Sequence, residues 1–216
     1  MEDKILKTIK LVRKQIKSFK IPSVTVVSGQ KDPYQVLISC ILSLRTKDKT
    51  TVEASRRLFQ VADNPYSMVK LLQRRLEKLI YPVGFYRNKS RTILGISAKI
   101  IKDSSGRVPH TLEGLLALNG VGRKTANLVL GLGFNIPAIC VDTHVHRISN
   151  RLGWVKTKKP EETEEALKKI IPRRLWIDLN TLLVTFGQNI CLPVSPFCSK
   201  CHVYNFCKRV GVKKMR

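Results

Sequence analysis

Six residues in this chain have the type and spacing to do chemistry. Lys124 stands directly behind a glycine turn in "LNGVGRKTANLVLGLGF", residues 118–134, at the mouth of an apolar run. Asp142 follows in "VDTHVHRISNRLG", between an apolar approach and a helical pattern. Cys191, Cys198, Cys201 and Cys207 form C-x6-C-x2-C-x5-C near the end of the chain. A deprotonated lysine amine is a nucleophile, and a carboxylate beside it can shuttle its proton or stabilise a cation. Four soft thiolate ligands in so short a segment point to a metal centre.

The elements that position the first pair are legible. A helix from 123 to 134 advances about 18 Å, and residues 135–141 reach at most roughly 23 Å when extended. The chain can therefore double back and return Asp142 to the helix end where Lys124 sits. Gly120 and Gly122 frame Val121 and leave backbone N–H groups uncovered, which at a helix start suits a phosphate. The string "GVGRKT" is not a phosphate-binding P-loop, because Arg123 separates Gly122 from Lys124 and a helix, not a strand, precedes it. A plain interhelical turn with a snorkelling surface lysine is the competing reading. Asp142 also reads as an N-cap for the helix after it, whatever else it does.

For the cysteines, spacing leaves zinc and an iron–sulfur cluster both open, since each accepts four thiolates. His202 reads as a neighbour of the centre, and Cys40 and Cys140 as buried packing residues. His144 and His146 are two apart and point in different directions on a helix, which argues against a shared metal.

The whole chain fits a nucleic-acid partner. Its 216 residues carry 40 Lys+Arg against 15 Asp+Glu, a formal charge of +25, spread along the length. An extended polyanion is the first partner this implies, with an anionic membrane surface second. The N-terminal "MEDKILKTIKLVRKQIKSFK" has charges every few residues and no apolar stretch long enough for a signal peptide or membrane span. A cytoplasmic protein is expected. Apolar residues recur at helical spacing from Ile5 to Phe19, in "YQVLISCILSL" behind Asp32-Pro33, in "YSMVKLLQRRL" behind Asn64-Pro65, and in a long helix ending near Ser105-Gly106. A short helix behind Thr111 and helices at 123–134, 143–152, 161–171 and 174–188 complete the pattern. "SVTVVSG", residues 23–29, is the one strand-like run and is too short to seed a sheet. The fold class is all-α.

These segments together resemble the endonuclease III branch of the helix-hairpin-helix DNA glycosylases, from "DPYQVLISCILSLRTKD" through "LNGVGRKTANLVL" and "VDTHVHRISNRLG" to the cysteines. The resemblance implies a bilobal fold with DNA in the interlobe cleft. One lobe is a six-helix barrel over 24–136, with its helix-hairpin-helix at about 111–134. The other, from 1–23 and 137–216, carries a 4Fe-4S cluster on the 191–207 loop. It also implies base excision repair by a glycosylase and abasic-site lyase that removes oxidised pyrimidines from damaged double-stranded DNA. The enzyme is expected to be a monomer associated with the nucleoid.

By the same resemblance Lys124 is the nucleophile that forms a Schiff base, and Asp142 assists proton transfer. Gly120, Val121, Gly122 and Arg123 grip DNA, and His144 lines the cleft or packs. Lys200, Lys208 and Arg209 flank the cysteines and touch phosphate or offset cluster charge. Arg45 and Phe85 stand where many relatives carry glutamine and leucine, as candidates to fill the gap left by an extruded nucleotide. A mismatch glycosylase without lyase activity and a non-catalytic helix-hairpin-helix DNA-binding protein are the alternatives. Lys124 favours the lyase, because the monofunctional members lack a lysine at that place.

Overall fold

The computed structural model describes residues Glu2–Val27 and Asp32–Arg216; all regular structure among them is helical. Contacts divide the chain into two compact units, one of Met1–Ile21 with Pro137–Arg216 and the other of Pro22–Ile136. Among the described residues no helix is long and apolar enough to cross a membrane.

The first unit opens with α1 (Glu2–Gln15), whose acidic first turn and basic last turn both complement the helix dipole. The second unit holds α2 (Ser23–Val27), α3 (Pro33–Ser43), α4 (Asp48–Phe59), α5 (Pro65–Val69), α6 (Gln73–Ile80), α7 (Tyr86–Ser104), α8 (Leu112–Leu116) and α9 (Arg123–Leu128). α3 is its axis. Asp32 caps it by accepting the Gln35 N–H at 2.8 Å, Pro33 occupies the first turn, and Tyr34 with everything from Val36 to Leu42 is buried. A helix buried on all faces must be surrounded, and α2, α4, α7 and α9 pack against it. Truncating Leu37 or Ile38 to alanine there would cost about 2–5 kcal/mol.

Three local expectations change in this unit. The strand-like run forms α2 over Ser23–Val27, while Ser28 and Gly29 lie outside the described residues. With no partner strand among the described residues, the run packs as a helix on α3 and α4 with Val24 buried, and Asp48 holds its start by accepting from Ser23 N–H at 3.2 Å and Ser23 Oγ–H at 2.6 Å. The pattern behind Asn64-Pro65 breaks into α5 and α6 on either side of residues 70–72. α4, which hydrophobic periodicity did not reveal, buries Thr51, Ala54, Ser55 and Leu58.

The chain then returns to the first unit with α10 (Thr143–Leu152), α11 (Pro160–Ile170) and α12 (Trp176–Asn189). Ile5, Ile9 and Val12 of α1 join Ile148, Leu152, Leu183 and Phe186 in one apolar core. Cys191, Cys201 and Cys207 pack against the same core.

Candidate active site and cysteine centre

The hairpin of the second unit is built from short-range bonds. Thr111 caps α8 by accepting the Gly114 N–H at 3.1 Å, and the turn closes with Leu118 N–H to Leu115 O at 3.1 Å and Val121 N–H to Leu118 O at 3.0 Å. Val121 is buried and its amide is engaged, while Gly120 and Gly122, to which the uncovered-amide reading applies, are exposed. Gly120 sits at φ +84°, and a Cβ there would lie 2.8 Å from Thr92 Cγ2. Gly122 has open space around its missing side chain, and its carbonyl accepts the Ala126 N–H at 2.9 Å to start α9.

Lys124 stands outside the core. It is exposed on the first turn of α9, and the next three residues, Thr125, Ala126 and Asn127, are the buried ones. Helical rotation puts residue 124 on the opposite face from the packed stripe. Its charge is still felt inside, since burial pushes the Cys40 thiol up to about 12 and Lys124 pulls it the other way. Arg123 is half-buried. Beyond Leu128 the helix widens into a π-turn over Val129–Gly133, and Gly133 allows the backbone to pass Pro33, whose Cα would lie 2.9 Å from a Cβ.

Arg45 and Phe85 come together in the same unit. Both adopt left-handed backbone angles, φ 52° and 57°, and the Arg45 guanidinium lies 5.7 Å from the centre of the Phe85 ring. Both are exposed, Phe85 at 60%.

In the first unit Asp142 is the N-cap of α10, its Oδ1 accepting the N–H groups of His144 and Val145 at 2.9 Å each. Those two bonds fix the carboxylate on the helix start. The His144 ring packs beside Gly187, where a Cβ would be only 2.5 Å from Nδ1, and Arg147 Nη2 lies 3.1 Å from that nitrogen. His146 turns instead to Thr163, with Nδ1 2.6 Å from Oγ1, so the two histidines serve different elements. Cys40 and Cys140 are buried.

All four cysteines of the C-terminal motif line one cavity, together with Arg151, Arg209 and Tyr204. Among the described residues no three Cys, His, Asp or Glu converge as a site for a single metal ion. The thiols are close enough to raise one another. Burial first and the neighbouring cysteines after it push Cys201 up to about 11, and Cys198 and Cys207 also rise, with burial the leading cause. The positive side chains of Arg151 and Arg209 oppose the rise at Cys198, and one guanidinium and one backbone amide reach sulfur. Arg151, itself buried, donates from Nη1 to Cys191 Sγ at 3.5 Å and to Leu192 O at 2.6 Å, and the Arg209 N–H donates to Cys207 Sγ at 3.3 Å. Four thiols with donors aimed at two of the sulfurs fit a thiolate-held metal centre, zinc or iron–sulfur. Lys208 packs under Gly153, the left-handed C-cap of α10, and Lys200 lies over the Phe197 ring.

An all-helical chain with a glycine-turn hairpin, a lysine at its second helix and a four-cysteine loop defines a class, and sequence comparison agrees with it. A profile described as "HhH-GPD superfamily base excision DNA repair protein" matches residues 38–173. The endonuclease III of Thermotoga maritima is 52% identical over 179 residues, covering 83% of this chain and 84% of its own length. An endonuclease III-like protein 1 of Gallus gallus is 46% identical over 81% of this chain and 63% of its own. A trapped endonuclease III–DNA covalent intermediate superposes with a TM-score of 0.83 at 31% identity, covering 97% of this chain and 96% of that one. A non-covalent endonuclease III–DNA complex gives 0.85 at 32%, with the same coverage. The chain belongs to the endonuclease III family of the HhH-GPD superfamily. It is a base excision DNA repair enzyme, a DNA glycosylase and abasic-site lyase.

Proposed function

We propose that this enzyme binds damaged double-stranded DNA as a monomer and removes oxidised pyrimidines, with Lys124 as nucleophile and Asp142 as its proton-transfer partner. The observation that carries this reading is the solvent-accessible lysine on the hairpin's second helix, in a chain that matches an endonuclease III trapped as a covalent DNA intermediate. The damaged nucleotide is first extruded from the stack, which costs a few kcal/mol and brings C1′ within reach. The Lys124 amine attacks C1′, and the C1′–base bond breaks with its electrons leaving on the base. Asp142 takes the amine's surplus proton and stabilises positive charge on the sugar. The C1′–O4′ bond then breaks as O4′ takes the proton held by Asp142, and the sugar opens to a Schiff base, which makes the C2′ proton acidic. Loss of that proton expels the 3′ phosphate, and water then hydrolyses the Schiff base to release Lys124.

Phosphates on the strand are held by the Gly120 and Gly122 amides and by Arg123, contacts that position DNA without reading its sequence. His144 contacts DNA at the start of α10, and Val121 supports the turn by packing beneath it. Arg45 and Phe85 fill the space the extruded nucleotide leaves. Cys191, Cys198, Cys201 and Cys207 hold a 4Fe-4S cluster, which when bound supplies iron–sulfur bonds that cross-link residues 191–207 into one loop. This action on the chromosome places the enzyme with the nucleoid.

The test is a panel of duplexes carrying single lesions, with base release and strand nicking scored separately. Release coupled to nicking at oxidised pyrimidines is expected. Release without nicking would favour a mismatch glycosylase, and steep salt-dependent binding with intact DNA would favour a non-catalytic binder.

A further inference from the structure

Among the described residues Lys89 is the one buried lysine, at 6% exposure, and it sits one turn into α7. Its Nζ donates to Leu42 O at 2.8 Å, to Leu44 O at 2.5 Å and to Thr46 Oγ1 at 3.1 Å. An ammonium has three donors, and here each has an acceptor. Two of them are carbonyls at the C-terminal end of α3, where a cation also complements the helix dipole. Burial pulls this ammonium down to about 8, and the acceptors are the compensation that a buried charge requires.

The third acceptor joins two loops. Thr46 Oγ1 also accepts the Gly84 N–H at 3.2 Å, and a Cβ on Gly84 would lie 2.6 Å from Arg45 O. The segment before α7 therefore lies directly on the segment after α3, an approach open only to glycine. On either side of this junction stand Arg45 and Phe85. Each is held in the left-handed region, at a cost of about 1–2 kcal/mol apiece. Strain at two exposed, mutually stacked residues persists only where the surroundings over-determine it.

We infer that Lys89 is a positioning residue for nucleotide extrusion, its side chain locking the Arg45 and Phe85 loops into one preassembled wedge. The inference deepens the proposed glycosylase reading and rests on it. Lys89 touches neither the sugar nor the base. It acts through Thr46 and the end of α3, so that the wedge enters the duplex already formed.

The experiment uses the full-length protein, Lys89→Met and Thr46→Val, on duplexes carrying an oxidised pyrimidine beside 2-aminopurine. Fluorescence of the aminopurine reports unstacking on binding. With helical content unchanged by circular dichroism, both variants should lose the fluorescence rise and release base on the order of 10²-fold more slowly from paired duplex. Placing the lesion in a short unpaired bubble, where extrusion costs little, should restore most of the rate. A normal fluorescence rise in folded Lys89→Met, or a rate loss as large in the bubble as in the duplex, overturns the inference. If Lys89→Met does not fold, Thr46→Val decides by the same readouts. A native protein that releases no base from either substrate overturns the glycosylase reading itself, a result distinct from any difference between variants.

Discussion

Asp142 shows how one side chain can serve structure and reaction together. Its Oδ1 takes two amide protons at the start of α10, a role that asparagine fills equally well. Asp142→Asn should therefore melt close to the native protein and bind duplex DNA normally, yet release base roughly 10² to 10⁴-fold more slowly, because an amide cannot accept the proton. Asp142→Ala should in addition lose about 1 kcal/mol from the missing cap. Thermal unfolding beside single-turnover base release separates the two effects, and equal losses of binding and stability in Asp142→Asn would leave capping as its whole role. The cap was legible because Asp-Thr-His precedes an amphipathic pattern. The exposure of Lys124 was not, since two of the three buried residues after it, Thr125 and Asn127, are polar and leave no apolar stripe from which to read the face of residue 124. Lys89 drew no notice in the sequence either, because a lysine in a polar stretch looks solvated until the carbonyls around it are known.

At the level of elements, the hairpin turn concentrates its constraint on one glycine. Gly120→Ala meets both a left-handed φ and Thr92 Cγ2 at 2.8 Å, and should cost about 1–3 kcal/mol while weakening duplex binding irrespective of sequence. Gly122→Ala has open space and an ordinary φ of −93°, so its stability loss should be clearly smaller. Chemical denaturation and filter binding of the two variants check this, and equal losses would contradict it. Helices with apolar stripes and proline-headed starts, such as α3, were legible from composition and caps. α4 was not, because its buried face is Thr51, Ala54, Ser55 and Leu58, and Ser55 meets Ser39 across the α3 contact at 3.3 Å. Periodicity measures hydrophobicity, and that face is mostly small and polar. α2 misled in the opposite sense, since Val and Thr favour strands only where another strand is present to pair with.

For the whole molecule, 40 basic residues against 15 acidic ones make affinity for undamaged duplex an electrostatic quantity. Raising salt from 50 to 200 mM should lower it on the order of 10³-fold, read by fluorescence anisotropy; a flat response would show that the charge is not directed at phosphate. The purified protein should be brown, with broad visible absorbance that bleaches as iron is removed, and removal should destabilise the unit containing the cysteines. A colourless, zinc-replete protein would exclude the cluster. The four-cysteine spacing was legible, but the choice between zinc and iron–sulfur was not, because thiolate ligands serve both. The central claim is that one lysine both evicts the base and opens the strand. Borohydride reduction during turnover on a duplex with an oxidised pyrimidine tests it most directly. The native protein should become covalently joined to DNA and Lys124→Gln should not; equal trapping by the two proteins would contradict the account.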